Sequence, residues 1–261
     1  MRPGRRAAIE FGERLAAHIE RSGGSVVADP SEKPDMVVAV GGDGTMLAAV
    51  RRAVGWGAPV LGFNLGTLGF LAGAEPADMA AVADRLMAGD YEIEERTTVS
   101  ASVGDATGVG VNDVVVEKID STRLVALDVA IDGEPFASYR ADGLLVATPT
   151  GSTAYSFSAG GPLVDPRVDA LVMTPIASHS LFDRPLALPS TSTIRVTVTR
   201  DRLVKVNVDK CELGELGEGE SAEIKRGDRP ARFVSLAPHP FPGVVRDKFG
   251  LQGEGRRCSA T

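Results

Sequence analysis

The spacing of hydrophobic residues changes from a helical period to an alternating one about one third of the way along this chain of 261 residues. Apolar side chains recur every three or four positions over 7–21, 45–54 and 77–87, which predicts three helices. Short apolar runs over 36–40 and 59–63 predict two strands that are buried on both faces. Helices that alternate with buried strands indicate a parallel, doubly wound α/β arrangement.

Beyond about residue 95 the chain is rich in β-forming residues, and helical periodicity almost disappears. Turn residues such as Asp132-Gly133 separate short runs that often alternate between apolar and polar positions. The predicted strands are 99–103, 110–116, 124–131, 144–147, 193–198 and 203–208. Short strands separated by turns predict a mostly antiparallel β-sandwich.

The change of pattern predicts an α/β domain over 1–95 and a β-rich domain over 96–250. We expect the last segment of the second domain, about 231–250, to pack back on the first domain, and 251–261 to form a disordered tail. The first domain is Rossmann-like, but a helix stands where such a domain usually opens with a strand. We therefore expect it to lack its first strand.

Charge and composition exclude several classes of protein. The formal net charge is −7, which argues against binding of nucleic acid through a basic surface. No run of apolar residues is long enough to span a membrane, and we expect a cytoplasmic protein. Two cysteines and three histidines argue against a disulfide framework and a zinc site, and no metal ligand is assigned. Glycine is concentrated locally, with nine residues between Gly41 and Gly73.

The first glycine cluster, Gly41-Gly42-Asp43-Gly44-Thr45, follows a predicted strand and precedes a helix. Bare backbone N–H groups at a helix N-terminus bind anions such as phosphate. The cluster lacks the Lys-Ser/Thr ending of a Walker A loop and does not match G-x-G-x-x-G. A carboxylate in a phosphate cradle needs either a bridging Mg²⁺ or a proton to accept, so Asp43 is a candidate catalytic base. The alternative is that Asp43 caps a helix that begins at Thr45.

A second cluster covers residues 148–162, in which seven of fifteen side chains carry a hydroxyl group. Small side chains with short donors suit a pocket for a flat, polar ligand such as a nucleotide base, with Tyr155 as one wall. Upstream, the pair Asn112-Asp113 opens an apolar strand, and a carboxylate suits the two hydroxyls of a ribose. Taken alone, the cluster also fits a polar loop, and the pair fits an ordinary turn.

These motifs, in this order and spacing, resemble the NAD kinase family, and 64–71 resembles the family's second glycine loop. The resemblance extends from about residue 7 to residue 250. It implies transfer of a phosphoryl group to the 2′-hydroxyl of the adenosine ribose of NAD, which gives NADP. It also implies Mg²⁺ or another divalent cation, with ATP or inorganic polyphosphate as the phosphoryl donor.

The resemblance also implies roles for individual residues. Asp43 is the expected base, and Asn112 and Asp113 are expected to hold adenine and ribose hydroxyls. Asp142 is expected on the nicotinamide side. The full set of residues expected to bind NAD or phosphate is Gly41, Gly42, Gly44, Thr45, Asn64, Gly66, Asn112, Asp113, Arg140, Asp142, Thr150, Thr153, Ala154, Tyr155, Ser158 and Ala177. The family implies a homodimer or homotetramer, with Arg140 and the Ala177 region near the neighbour's site.

Asp209-Lys210 stands where the family more commonly has Asp-Gly, and we expect this difference to alter a turn and to say little about chemistry. Two other functions stay open at this point. A non-catalytic NAD(H) sensor would keep the nucleotide pocket without phosphoryl transfer. A lipid kinase with the same glycine loop would need an apolar cleft, and the hydroxyl-rich cluster argues against one.

Overall fold

The computed structural model describes residues 3–27, 32–65, 69–71, 73–120, 122–200, 202–236 and 241–251. The predicted disordered tail lies outside these residues except for Leu251, and Gly66 also lies outside them. None of the helices in these ranges is long and apolar enough to cross a membrane.

The described residues form five α-helices and sixteen strands. The helices are α1 (Pro3–Arg21), α2 (Asp43–Trp56), α3 (Met79–Ala88), α4 (Tyr155–Ser158) and α5 (Phe241–Phe249), with 3-10 turns at Pro76–Asp78 and Thr150–Thr153. The strands are β1 (Val37–Val40), β2 (Val60–Phe63), β3 (Glu92–Arg96), β4 (Val99–Val103), β5 (Ala106–Gly110), β6 (Asp113–Lys118), β7 (Val125–Ile131), β8 (Glu134–Ala141), β9 (Gly143–Ala147), β10 (Ala170–Ile176), β11 (Leu186–Pro189), β12 (Ile194–Val198), β13 (Val204–Val208), β14 (Cys211–Leu216), β15 (Ser221–Arg226) and β16 (Ala231–Ser235).

The first sheet has four strands in the order β1-β2-β16-β3, of which β1, β2 and β16 are parallel. Helix α2 packs on one face, where Met46 and Val50 join Val60 and Phe233 in a buried cluster. Helices α1 and α3 cover the other face, and Phe11 lies 5.0 Å from Phe63 between ring centroids. The α/β arrangement expected from the helical and strand periods is therefore confirmed.

The described chain has no strand before α1, and β1 forms one edge of the first sheet. Helix α2 begins at Asp43, two residues before the predicted start. Gly42 is its N-cap residue, and its carbonyl accepts hydrogen bonds from the amides of Thr45 and Met46 at 2.9 and 3.1 Å. Asp43 therefore lies in the first turn of the helix.

Two six-stranded sheets form the sandwich, in the orders β11-β10-β9-β6-β13-β14 and β5-β4-β15-β12-β7-β8. All their pairings are antiparallel, as the alternating pattern predicts. Leu127, Tyr139, Leu144 and Ile224 lie between the sheets and are almost completely buried.

The predicted strand 110–116 is wrong as a single element. The chain completes β5 at Gly110 and begins β6 at Asp113. Between them, the amides of Val111 and Asn112 donate to the carboxylate of Asp209 rather than to a neighbouring strand. A tertiary hydrogen bond thus interrupts an apolar run that by itself is typical of one continuous strand.

Leu127→Ala should lower the free energy of unfolding by about 2–5 kcal/mol, because the truncation leaves a cavity between the two sheets. Leu203→Ala is the matched control, since Leu203 is 56% exposed, and it should change stability by less than about 0.5 kcal/mol. Urea unfolding of both variants measures the difference. Equal losses in the two variants would show that the sandwich interior does not pack as described.

Candidate active site

The glycine loop lies between β1 and α2 and presents backbone to solvent. The amide of Gly41 donates to the carbonyl of Phe63 at 2.9 Å, which ties the loop to β2. Gly41 has a φ of +150°, and a Cβ there would overlap the Thr45 hydroxyl. A Cβ at Gly42 or Gly44 would meet nothing within 4 Å. The space around these two glycines is therefore open, and amides in the first turn of a helix that have no partner within it can donate to an anion.

Asp43 does not cap α2, so the capping alternative is wrong. Its carboxylate instead accepts hydrogen bonds from the amides of Phe70 and Leu71, at 3.1 and 3.4 Å. These amides belong to the segment after β2, and a Cβ on Gly69 would overlap the Asp43 carboxylate. The second glycine segment thus approaches Asp43 closely enough to hold its side chain in one orientation.

The Asn112-Asp113 pair lies at the start of β6 and faces the hydroxyl-rich segment. The amide of Thr148 donates to the Asn112 carbonyl at 2.9 Å, and the Thr148 hydroxyl donates to the Val111 carbonyl at 2.6 Å. Among the described residues, Asn112 Oδ1 and Thr150 Oγ1 are buried without a hydrogen-bond partner. Buried acceptors of this kind are normally satisfied, so these two atoms point to a ligand.

Asp113 is a buried carboxylate that is 5% exposed. Burial raises its pKa from 3.8 to about 7, the negative charge of Asp209 adds to the rise, and the positive charge of Lys210 opposes it. Its carboxylate receives no hydrogen bond from the described residues. The group therefore titrates near neutral pH and has free acceptor positions for ligand hydroxyls.

Tyr155 opens α4 and stands among carboxylates. Burial raises the pKa of its hydroxyl, and the negative charges of Glu117, Asp142 and Asp113 raise it further. Asp142 also pairs with Lys118, whose Nζ lies 2.5 Å from Asp142 Oδ1. Because these effects require proximity, the fold brings Asp113, Asp142 and Tyr155 to one place although the sequence separates them by up to 42 positions.

Arg140 and Ala177 lie beside this cluster. The carbonyl of Arg140 accepts the amide of His179 at 2.8 Å, and the amide of Asp142 donates to Ile176 at 2.9 Å. Ala177 adopts a left-handed φ of +47°, which is uncommon for a residue with a side chain. Both residues thus belong to the edge formed by the ends of β8 and β10.

A cleft of about 950 Å³ lies between the first sheet and the hydroxyl-rich segment. Phe70 and Leu71 line it from one side, and Thr150 and Thr153 line it from the other. Phe241 and Val244 of α5 also line the cleft, and the ring of Phe249 in the same helix lies 6.4 Å from that of Phe70 and 5.1 Å from that of Phe157. The cleft therefore connects the partners of Asp43 with the second cluster.

The remaining predicted residues are placed as follows. Asn64 follows β2 and is 5% exposed. Its main-chain amide donates to the carbonyl of Ala74 at 3.2 Å. Ala154 precedes α4 and Ser158 ends it. Across the described parts of the chain, no three His, Cys, Asp or Glu side chains form a group able to hold a metal ion.

Four residues that contribute to this site are absent from the set expected from the sequence. Phe70 and Leu71 act through main-chain amides, which leave no signal in residue type. Glu117 lies in an apolar strand and reaches the site only through sheet pairing. Asp209 was not assigned to the site from the sequence, and its carboxylate accepts the amides of the candidate binding pair.

Comparison with known proteins matches both parts of the chain to one family. The model of the ATP-NAD kinase N-terminal domain matches residues 13–91, and that of the ATP-NAD kinase C-terminal domain matches residues 111–236. The NAD kinase of Wolinella succinogenes is 38% identical over 219 residues, which cover 82% of this chain and 76% of the relative. That of Moorella thermoacetica is 42% identical over 218 residues, which cover 82% and 70%.

Two solved structures have the same fold. Yeast NADH kinase complexed with NADH superposes with a TM-score of 0.78 at 33% identity, covering 86% of this chain and 68% of that chain. An NAD kinase from Archaeoglobus fulgidus in complex with ATP gives a TM-score of 0.74 at 26% identity, covering 92% and 93%.

Asp113→Asn should change how stability depends on pH. The pKa of Asp113 is higher in the folded chain than in the unfolded one, so between about pH 4 and 7 the folded state binds more protons. The free energy of unfolding therefore falls as pH rises through this range. The amide side chain of the variant does not ionise, so at pH 8 the variant should be more stable than the parent by about 1–3 kcal/mol.

Chemical unfolding at several pH values between 4.5 and 8.5 measures this difference. Asp105→Asn is the matched control, because Asp105 is exposed in the turn between β4 and β5. The control should follow the parent profile. If the free energy of unfolding depended on pH in the same way in the parent and in Asp113→Asn, the pKa of Asp113 would not differ between the folded and unfolded chains, and the prediction would be contradicted.

Proposed function

The chain belongs to the NAD kinase family of phosphotransferases, and from this premise we propose that it phosphorylates the 2′-hydroxyl of the adenosine ribose of NAD with Asp43 as general base. The observation that carries the proposal is the Asp43 carboxylate, held by two loop amides beside the open amides of the glycine loop. This arrangement combines a proton acceptor with an anion cradle.

The acceptor nucleotide is assigned to the surroundings of Tyr155. The two oxygens of Asp113 suit the adjacent hydroxyls of a ribose, and Asn112 Oδ1 is an unused acceptor for a donor on the base. Tyr155 presents an aromatic face with a polar tip, which suits an adenine ring together with Thr153 and Ser158. Asp142, paired with Lys118, is assigned to the nicotinamide side.

The reaction needs positioning and charge neutralisation more than a strong base, because phosphoryl transfer passes through a loose transition state. The 2′-oxygen forms a bond to the terminal phosphorus of the donor while the bond to the leaving phosphate breaks. Asp43 takes the proton that the hydroxyl loses. The amides at the start of α2 donate to phosphate oxygens as charge moves between them.

We assign Mg²⁺ to the phosphoryl donor rather than to a protein cage. Mg²⁺ commonly keeps water and phosphate oxygens and takes few protein ligands, which fits described residues that contain no group of three His, Cys, Asp or Glu side chains able to hold a metal ion. The ion supplies positive charge to the phosphates when bound. ATP and inorganic polyphosphate share the phosphoanhydride that this chemistry requires, and both are proposed as donors.

We also propose a homo-oligomer, with the surface near Arg140 as its interface. Leu181 is fully exposed there, and Phe136 and Phe182 form an exposed edge-to-face pair 5.8 Å apart. Apolar side chains grouped on a surface favour association. Light scattering of the protein at two concentrations tests for a dimer or tetramer.

The direct experiment is to incubate the protein with NAD, Mg²⁺ and either ATP or polyphosphate, and to assay for NADP. Formation of NADP that stops on addition of EDTA supports the proposal. Binding of NAD without NADP from either donor would contradict it and would favour a sensor. Phosphorylation of a lipid but not of NAD would favour a lipid kinase.

Asp43→Asn should reduce kcat about 10²- to 10⁴-fold, which is the usual contribution of a general base. The dissociation constant for NAD should change less than about threefold, because the substitution keeps the size of the side chain and one acceptor oxygen. Steady-state kinetics and calorimetry measure the two quantities. The control is Asp35→Asn, which removes an exposed carboxylate before β1 and should leave both unchanged. Near-normal turnover of Asp43→Asn would remove Asp43 from the role of base.

A further inference from the structure

Asp209 is a buried carboxylate that gathers three consecutive main-chain amides. It is 4% exposed, and it accepts the amide of Val111 at 2.7 Å, that of Asn112 at 2.8 Å and that of Asp113 at 3.2 Å. Its own amide donates to the carbonyl of Asp113 at 3.0 Å. Four hydrogen bonds thus fix the main chain from Val111 to Asp113 at the start of β6.

The turn that carries Asp209 has an unusual conformation. Val208 pairs with Cys211, so Asp209 and Lys210 are the two residues of a tight hairpin between β13 and β14. Both have left-handed φ values, +47° and +67°. Such turns favour Asp or Asn followed by Gly, and Lys210 therefore occupies a position where a side chain costs free energy. Residues held in this way often act at functional sites.

Charges on three elements act on this region. Burial and the negative charge of Asp209 raise the pKa of Asp113, while the positive charge of Lys210 lowers it. Burial raises the pKa of Asp209 itself, and its three amides and Arg51 of α2 oppose the rise. The negative charge of Asp113 also contributes to the raised pKa of Tyr155 of α4, after burial and the charges of Glu117 and Asp142.

We propose that Asp209 and Lys210 are positioning residues for the acceptor nucleotide. Asp209 holds the Asn112-Asp113 main chain in its binding orientation, and Lys210, the other residue of the same two-residue hairpin, brings a positive charge to that turn. The inference rests on the proposed function, since it takes Asn112 and Asp113 as the residues that hold the nucleotide. A role for this positive charge would explain why position 210, whose left-handed backbone favours glycine, carries a lysine.

The substitution Lys210→Gly distinguishes a turn that only connects two strands from one that acts on the nucleotide site. If the hairpin only connected two strands, Lys210→Gly would relieve the left-handed strain and have no effect on the nucleotide. If Lys210 acts on Asp113, the same substitution makes Asp113 harder to ionise. The pH above which NAD binds tightly then moves upward, whether or not the turn becomes more stable.

The first test is the pH dependence of KM for NAD in the parent, Lys210→Gly and Lys210→Arg, with calorimetric titration of NAD alongside. Lys210→Gly should move the midpoint of the profile upward by about 0.5–1 pH unit, which reflects one lost neighbouring charge. Lys210→Arg should restore the parent midpoint because it restores the charge. Identical midpoints in all three proteins would overturn the role of Lys210.

The second test is Asp209→Asn, whose amide group cannot accept all three main-chain donors. KM for NAD should rise tenfold or more, while KM for ATP changes less than about threefold and kcat falls less than KM rises. Equal effects on both substrates, or an unchanged KM for NAD, would overturn the role of Asp209. If the variant does not fold, the Lys210 series still decides the proposal.

Different results would contradict the proposed NAD kinase activity and the proposed roles of Asp209 and Lys210. Absence of NADP from the parent protein contradicts the proposed function itself. NADP formation by the parent, with NAD parameters in the variants that do not move, contradicts only the roles of Asp209 and Lys210.

Discussion

The pairing of β16 with β2 on one side and β3 on the other determines how the two parts of the chain meet. The chain leaves the first sheet after β3 and returns to it at β16, and the two strands pair over five positions. Arg96 lies over the ring of Phe233, 4.4 Å from its centroid. Because both ends of the intervening sandwich are fixed in adjacent strands, Val111 is brought into the same buried cluster as Met46 of α2. The candidate binding pair therefore starts beside the helix that carries Asp43.

Main-chain hydrogen-bond donors explain how a protein with a net charge of −7 can be suited to an anionic nucleotide. The proposed anion-binding groups are main-chain amides, which carry no net charge and are placed by the fold. Amides also hold the carboxylates of Asp43 and Asp209, each over a long sequence separation. Hydrogen bonds of this kind offset part of the cost of removing a charged carboxylate from water. The same kind of donor thus serves the phosphate cradle and the acidic side chains around it.

Much of the fold follows from the spacing of apolar residues. The helical period before residue 95 predicted α1, α2 and α3, and the alternating period after it predicted the sandwich, because burial on one face selects those periods. The run 110–116 was read wrongly as one strand. Its apolar residues fit a strand, and nothing local shows that Asp209, almost 100 positions later, accepts hydrogen bonds from three of its amides. Strands such as β8 and β14 were missed because polar residues and glycine weaken their pattern.

For the site, the sequence alone determined which residue types are present: a carboxylate within a glycine loop, an Asn-Asp pair and a hydroxyl-rich segment. These three clusters can be recognised from the sequence because their chemistry belongs to the side chains, which the residue types specify directly. Only the tertiary structure decided what each carboxylate touches. Asp43 meets amides of a second loop instead of capping its helix, and Asp209 meets the binding pair rather than solvent. Main-chain donors look alike at every position in a sequence, so their partners become known only when distant segments pack together.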